Sequence, residues 1–163
     1  MPKRRMRGFR PLGEGLDERR LPSGFSPSQI TTAYGLGGIT FRSSSGGQVA
    51  GDGAGQTIAI IDLYHDPNIQ ASLDAFDANE GLPAVTLDVI DQAGDQTDPG
   101  WASEETLDVE WAHAMAPGAG IDVVEVSPGT TGDEQFSNVI AALQTAARMP
   151  GVSVGTRNID MPR

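Results

Sequence analysis

The chain has no cysteine, so neither a disulfide framework nor a thiolate metal site is open to it, and redox chemistry is silent about its compartment. Basic charge is scarce beyond the first twenty residues. Seven of the eleven Lys and Arg (Lys3, Arg4, Arg5, Arg7, Arg10, Arg19, Arg20) lie there, leaving 4 basic against 19 acidic residues. An acidic body repels a phosphate backbone. The basic arm carries Phe9 as its single aromatic on a Gly- and Pro-rich stretch, so it reads as a solvated arm and nucleic acid is not an expected partner. Long apolar runs are missing as well. None approaches the roughly 18 residues of a membrane helix, and the basic start is not followed by the apolar stretch of an export signal. A membrane is therefore not an expected partner, and localisation stays open.

The 163 residues suffice for one domain with a sizeable core. With 21 Gly, 11 Pro and 38% apolar residues, the composition is that of a globular but loop-rich chain. We expect a disordered basic arm over 1–24, a folded part over 25–154 and an irregular tail over 155–163.

Ser26 before Pro27 is a helix start with an N-cap and a proline at the first helical position, and the helix should end near Tyr34. Residues 35–55 are dominated by glycine and serine, leaving room for at most a short strand at Ile39-Thr40-Phe41. Thr57 to Asp62 is a β-branched apolar run suited to a strand buried on both faces. A helix is expected from Asp66-Pro67 to Asn79 with Ile69, Leu73 and Phe76 on one face, then a strand over Val85–Ile90. Ser103–Met115 reads as a helix closed by Pro117-Gly118 and Gly120–Val126 as a strand. Asp133–Arg148 reads as a helix with Phe136, Val139, Ile140 and Leu143 on its apolar side, and Val152-Ser153-Val154 begins a fourth strand. This alternation predicts βαβ units and an α/β fold with a parallel sheet covered by helices. Residues 155–163 follow neither period, and a parallel strand with no helix to cover it leads us to expect an incomplete fold.

The densest chemistry lies between Trp101 and Ala119. On a helix Glu104 and Asp108 stand one turn apart, about 40° in azimuth, and so share a face. Two carboxylates in reach of each other cannot both ionise cheaply, so the pair titrates as a unit and one member becomes a usable base. A Glu so placed can take a proton from a serine hydroxyl, with the Asp holding it as Asp holds His in a Ser-His-Asp triad. A carboxylate base also works at pH values that would protonate histidine. Glu105 competes for the role, but it lies about 60° from Asp108 on the other side, and the spacing favours Glu104. By itself a Glu-x-x-x-Asp spacing is weak evidence, since acidic residues so spaced usually lie on a solvated helix face.

The wider wording of this helix, Glu104 followed by Leu107-Asp108-Val109-Glu110-Trp111-Ala112-His113-Ala114-Met115-Ala116-Pro117-Gly118-Ala119, closely resembles that of sedolisins. These are serine-carboxyl peptidases with a subtilisin-like fold. Two upstream segments resemble the family in the same order: Ser26-Pro27-Ser28-Gln29-Ile30 with Ala33-Tyr34-Gly35, and Gly53 to Asp62. The resemblance spans about Phe25 to Val154. It implies the amino-terminal part of a subtilisin-like parallel sheet flanked by helices, Glu104 as general base and Asp108 as its supporting carboxylate. It also implies a serine-type endopeptidase with peptide or protein substrates. The family's nucleophilic Ser, oxyanion-stabilising Asp, calcium site and large prosegment have no matching positions here. We therefore expect a truncation or reading-frame break, no cofactor in this chain, and no activity without a complementing carboxyl-terminal fragment. Relatives are commonly exported.

Three other readings compete. A histidine-based subtilisin mechanism would use Asp62 with His65 or His113, but neither histidine lies in a His-Gly-Thr-like setting, and His113 is about 180° from Glu104 on the helix. His113 is then a packed or partner-bonded residue, and Asp62 stabilises the next loop or lines a cleft at the carboxyl end of the sheet. Asp91, Asp95 and Asp98 form a candidate metal loop without the EF-hand spacing, more in keeping with a solvated loop. Trp101 and Trp111 read as packing residues. Outside enzymology, the chain could be a non-catalytic protein-binding module on a protease-like scaffold.

Overall fold

A computed structural model of the chain describes residues 24–157, so nearly all of the basic arm and residues 158–163 lie outside the described residues. Helix α1 (Pro27–Ala33) starts where the sequence signals it. The Ser26 hydroxyl accepts the Gln29 N–H, the Gln29 side chain accepts the Ser26 N–H, and Pro27 takes the first turn. After a 3-10 turn at Leu36–Gly38, β1 (Thr40–Arg42) and β2 (Gln48–Ala50) form an antiparallel hairpin. A single short strand is expected there. The second, Gln48-Val49-Ala50, is exposed throughout and too short for any hydrophobic period to show.

The main sheet has four parallel strands, β3 (Thr57–Leu63), β4 (Asp88–Gln92), β5 (Gly120–Val126) and β6 (Val152–Arg157), in the order β4-β5-β3-β6. Helices α2 (Ile69–Glu80), α3 (Pro99–Met115) and α4 (Gly132–Ala146) connect them. The expected α/β architecture, a parallel sheet flanked by helices as in part of a subtilisin-like fold, is what the chain adopts. Side chains of β3 and β5 alternate between two cores, which is why these strands are apolar on both faces. Ile60, Ile121 and Val123 pack with Ile69 and Leu73 of α2 and Val109 of α3. Ala59, Ile61, Leu63, Val124 and Val126 pack with Val139, Ala142 and Ala146 of α4. Gly53 (φ 87°) lets the loop before β3 close on the α3–β5 turn, where a Cβ would stand 2.9 Å from that of Ala119.

Several boundaries differ from the sequence expectation. Helix α3 begins at Pro99, four residues early, because the Asp98 carboxylate caps the N–H groups of Gly100 and Trp101. Helix α2 begins at Ile69, since Asp66 spends its carboxylate on the Asn68 N–H. Strand β4 starts at Asp88 instead of Val85. The Gln70 amide takes the Val85 carbonyl and the Leu87 N–H, backbone groups a strand would give to its neighbour. On α4, Val139 is buried as expected, but Phe136 and Ile140 face solvent at 47% and 37% exposure. Strand β6 runs through Gly155-Thr156-Arg157, the first three residues of the stretch expected to be irregular. Among the described residues no helix is long and apolar enough to cross a membrane.

Burial decides what substitutions should cost. Leu73→Ala removes a fully buried side chain and should destabilise the chain by about 2–4 kcal/mol in urea titration. Phe136→Ala, on the exposed side of α4, should stay within about 0.5 kcal/mol of the parent.

Candidate active site

The carboxyl edge of the sheet collects acids. Asp62 is in direct register with Glu125, and Glu125 with Asp91, across β3, β5 and β4. Residues paired in this way share a face of the sheet, here the face covered by α2 and α3. Helix α3 packs against β3 and carries Glu104, Glu105 and Asp108. Glu104 is exposed, Asp108 half-buried, and Glu105 turned inward with 1% exposure. The structure thus separates the two adjacent glutamates as the helical spacing predicts.

Asp62 is fully buried, and neither of its carboxylate oxygens has a hydrogen-bond partner. Burial pushes its pKa up to about 7, reinforced first by the charge of Asp108 and then by that of Glu104. Asp108 is itself raised, by burial and then by Glu104. Three carboxyl groups are therefore electrostatically linked, with Asp62 innermost and Glu104 at the surface. Near neutral pH Asp62 can therefore hold a proton at the inner end of this set. Glu105 is pushed up to about 9 by burial, then by Glu125, Asp62 and Asp66. It is a neutral acid under most conditions and makes a poor base.

Beside this set, Tyr64 ends β3 in the left-handed region (φ 68°), unusual for a residue with a Cβ. Its N–H is still held by the Val126 carbonyl, and its ring lies 6.4 Å from that of Trp101. The turn hands the chain to His65, whose N–H donates to Gln96 and whose Nδ1 lies 2.7 Å from Glu125 Oε2. Glu125 is fully buried, and its Oε1 accepts the Asp66 N–H at 3.0 Å. Its pKa is raised by burial, which those two hydrogen bonds oppose.

Neither histidine meets Asp62, whose oxygens are unpartnered, so the geometry offers no His–Asp pair of the subtilisin kind. His113 is buried, donates Nε2–H to the Pro83 carbonyl at 2.7 Å and lies 3.4 Å from Asp77, the packed and partner-bonded residue expected. Asp91 and Asp98 act as local caps, Asp91 for Ala93 and Gly94, Asp98 for α3, and they do not converge with Asp95 on a common point. An apolar concavity bordered by Pro27, Leu36, Ile39 and Met115 lies at the far end of α3 from the acids. The sequence reading placed Asp62 at the sheet edge but missed its link to Asp108, and it missed Glu125 altogether. The available signal was a lone acid inside each apolar strand, Ile61-Asp62-Leu63 and Val124-Glu125-Val126.

No family model and no curated protein matches the chain. Among solved structures it is similar to Pseudomonas sedolisin, a serine-carboxyl proteinase complexed with two molecules of pseudo-iodotyrostatin. The TM-score is 0.60 and the identity 18%, over 81% of this chain and 34% of that one. The chain therefore spans about a third of that protein's length. At such identity the likeness concerns the fold: a sedolisin-like arrangement of the sheet and its helices.

The buried acids give stability a distinctive pH dependence. Asp62 and Glu105 have folded-state pKa values above their unfolded ones. Their contribution is fully present below the unfolded values near 4 and is lost as pH rises, through about 7 for Asp62 and about 9 for Glu105. For Asp62 alone the loss is on the order of 4 kcal/mol. Thermal unfolding should show a higher melting temperature at pH 5 than at pH 8, and Asp62→Asn should flatten that difference. An unchanged pH profile in the variant would show that Asp62 ionises freely.

Proposed function

We propose that the chain forms the acid–base half of a serine-type endopeptidase site, with Glu104 as general base and Asp108 as the carboxylate that holds it. One observation carries this reading. Glu104 and Asp108 lie on one face of α3, in electrostatic contact with buried Asp62 at the carboxyl end of β3. The sedolisin-like fold and the motif wording around Glu104 support it.

In the proposed reaction a serine hydroxyl attacks the scissile carbonyl of a peptide while Glu104 takes its proton. The tetrahedral intermediate collapses as that proton passes to the leaving amine, giving an acyl-serine that water hydrolyses in a second pass through the same base. Asp108 fixes the Glu104 carboxyl and shares its proton, and Asp62 backs Asp108. Burial that keeps Asp62 neutral spares the trio a third negative charge, so Glu104 and Asp108 can exchange one proton between them. The serine and the oxyanion donors would come from sequence resembling the family's carboxyl-terminal part, which makes such a segment a proposed partner alongside the peptide substrate.

The test is peptide hydrolysis between pH 3 and 7 by the purified chain, alone and mixed with the carboxyl-terminal portion of a sedolisin. The mixture should cleave, and Glu104→Gln should lower its kcat by at least about a hundredfold, the scale of a lost general base. Asp108→Asn should lower kcat with less effect on KM and shift the acid limb of the pH profile. Hydrolysis that survives Glu104→Gln would refute the assignment. Silence of the mixture, with specific capture of the sedolisin portion, would favour a non-catalytic binding module.

A further inference from the structure

Next to the Glu104–Asp108–Asp62 set lies a second group that the proposed reaction does not use. His65, Asp91 and Glu125 each offer one ligand atom, and these atoms all lie within 4.8 Å of one another. They come from three places: the left-handed turn after β3, the end of β4 and the end of β5. Each is already held by a bond that does not use its ligand atom, and two of the ligand atoms, His65 Nδ1 and Glu125 Oε2, are bonded to each other. Asp91 Oδ1 accepts the N–H groups of Ala93 and Gly94 at 2.8 and 2.7 Å, fixing the carboxylate and leaving its other oxygen. Glu125 Oε1 is held by the Asp66 N–H, so that Oε2 faces His65 Nδ1, and the His65 backbone is tied to Gln96.

The surroundings call for a cation. Glu105, at 1% exposure, has an Oε1 with no hydrogen-bond partner, and Glu125 is the charged group that acts on it most strongly. The described residues include three basic side chains besides histidine, Arg42, Arg148 and Arg157. Arg42 lies in the β1–β2 hairpin and Arg148 follows α4. Arg157 pairs in register with Ile61, whose side chain points to the α4 core, so it faces away from these acids. The ion pairs among the described residues both use histidine, and the one at this end is His65–Glu125.

We propose that His65 Nδ1, Asp91 and Glu125 Oε2 form a binding site for a zinc-class divalent cation, three protein ligands with a fourth position open. One imidazole nitrogen with two carboxylates is a donor set suited to Zn2+ or Co2+. Ca2+ seeks six to eight oxygens, and Mg2+ keeps its waters and avoids nitrogen. The ion takes the place of the proton between His65 Nδ1 and Glu125 Oε2. Tetrahedral ligands about 2.0–2.2 Å from a metal stand roughly 3.3 Å from each other, so the 2.7 Å pair must open by about half an ångström. The ion would clamp β4 and β5 to the turn after β3 and neutralise the charge that Glu105 faces. This site does not depend on Glu104 acting as a base.

Two experiments on the full chain, stripped with a chelator, test it. Calorimetric titration with Zn2+ should give one saturable equivalent. Co2+ should add visible d–d absorption of a site with low coordination number. At a hundredfold excess of Zn2+ over its Kd, the melting temperature should rise by about 5–10 °C. His65→Gln and Asp91→Asn each remove one ligand; the second keeps the oxygen that caps Ala93 and Gly94. Each should weaken Zn2+ binding at least about a hundredfold while circular dichroism stays unchanged. The proposal is overturned if no saturable equivalent binds, if either variant binds as the parent does, or if Ca2+ binds as tightly as Zn2+.

Discussion

The pairing of β3 with β5 is the constraint on which the rest of the structure depends. Thr57–Leu63 and Gly120–Val126 run parallel over seven residue pairs in unbroken register. That register does two things at once. It aligns two apolar stripes on opposite faces, so that α2 with α3 and α4 each find a core to cover. It also sets Asp62 beside Glu125 at the carboxyl edge, where the connecting loops leave the sheet. A slip of β3 by one residue would send Asp62 to the α4 face while Glu125 stayed, and would turn Ile61 toward α3 and Ile60 toward α4. Parallel pairing of this kind is non-local, and it holds only because both faces are covered.

Burying carboxyl groups at that edge opposes folding unless each is neutralised or partnered. The chain uses both routes. Glu125 is partnered, by the His65 ring and the Asp66 N–H. Asp62 and Glu105 are not, and burial raises their pKa values, to about 7 and about 9, so that each is largely neutral in mildly acidic solution. Perturbed acids gathered where the strands end are the usual mark of a site. The core side of the same strands, Ile58, Ile60, Ile121 and Val123, carries no such burden. The left-handed Tyr64 belongs to the same account. A conformation that costs about 1–2 kcal/mol for a residue with a Cβ persists where it swings His65 onto Glu125.

How much of this was legible in the sequence depends on the range of the deciding interaction. Thr57–Asp62 and Gly120–Val126 were clear because a strand buried on both faces is apolar at nearly every position. The start of α3 was signalled by Asp98-Pro99, an N-cap followed by a proline. It was lost in the Asp- and Gly-rich composition of the preceding loop. The shift of β4 was not legible, since it hangs on Gln70, fifteen and seventeen residues away from Val85 and Leu87. Phe136 and Ile140 failed for another reason. Helical spacing groups them with Val139 and Leu143, but against β3 and β5 α4 fully buries only the stripe Val139, Ala142 and Ala146. At the site, the pairing of Glu104 with Asp108 is local to one helix turn and could be read directly. The link from Asp108 to Asp62 and the meeting of His65 with Glu125 depend on strand register, which no single segment encodes.

The two acidic groups at the sheet edge are not independent, and Glu105 is the residue that joins them. Its neighbours on α3, Glu104 and Asp108, act on Asp62, while Glu105 itself is acted on by Glu125 and then by Asp62. A positive charge placed at His65, Asp91 and Glu125 would favour ionised Glu105, and an ionised Glu105 would hold Asp62 more firmly in its protonated form. Charge at one end of the edge is thereby felt at the other through a single buried side chain. The α3 backbone fixes this order of residues. Adjacent positions on a helix point about 100° apart, so Glu105 faces the strands because Glu104 does not.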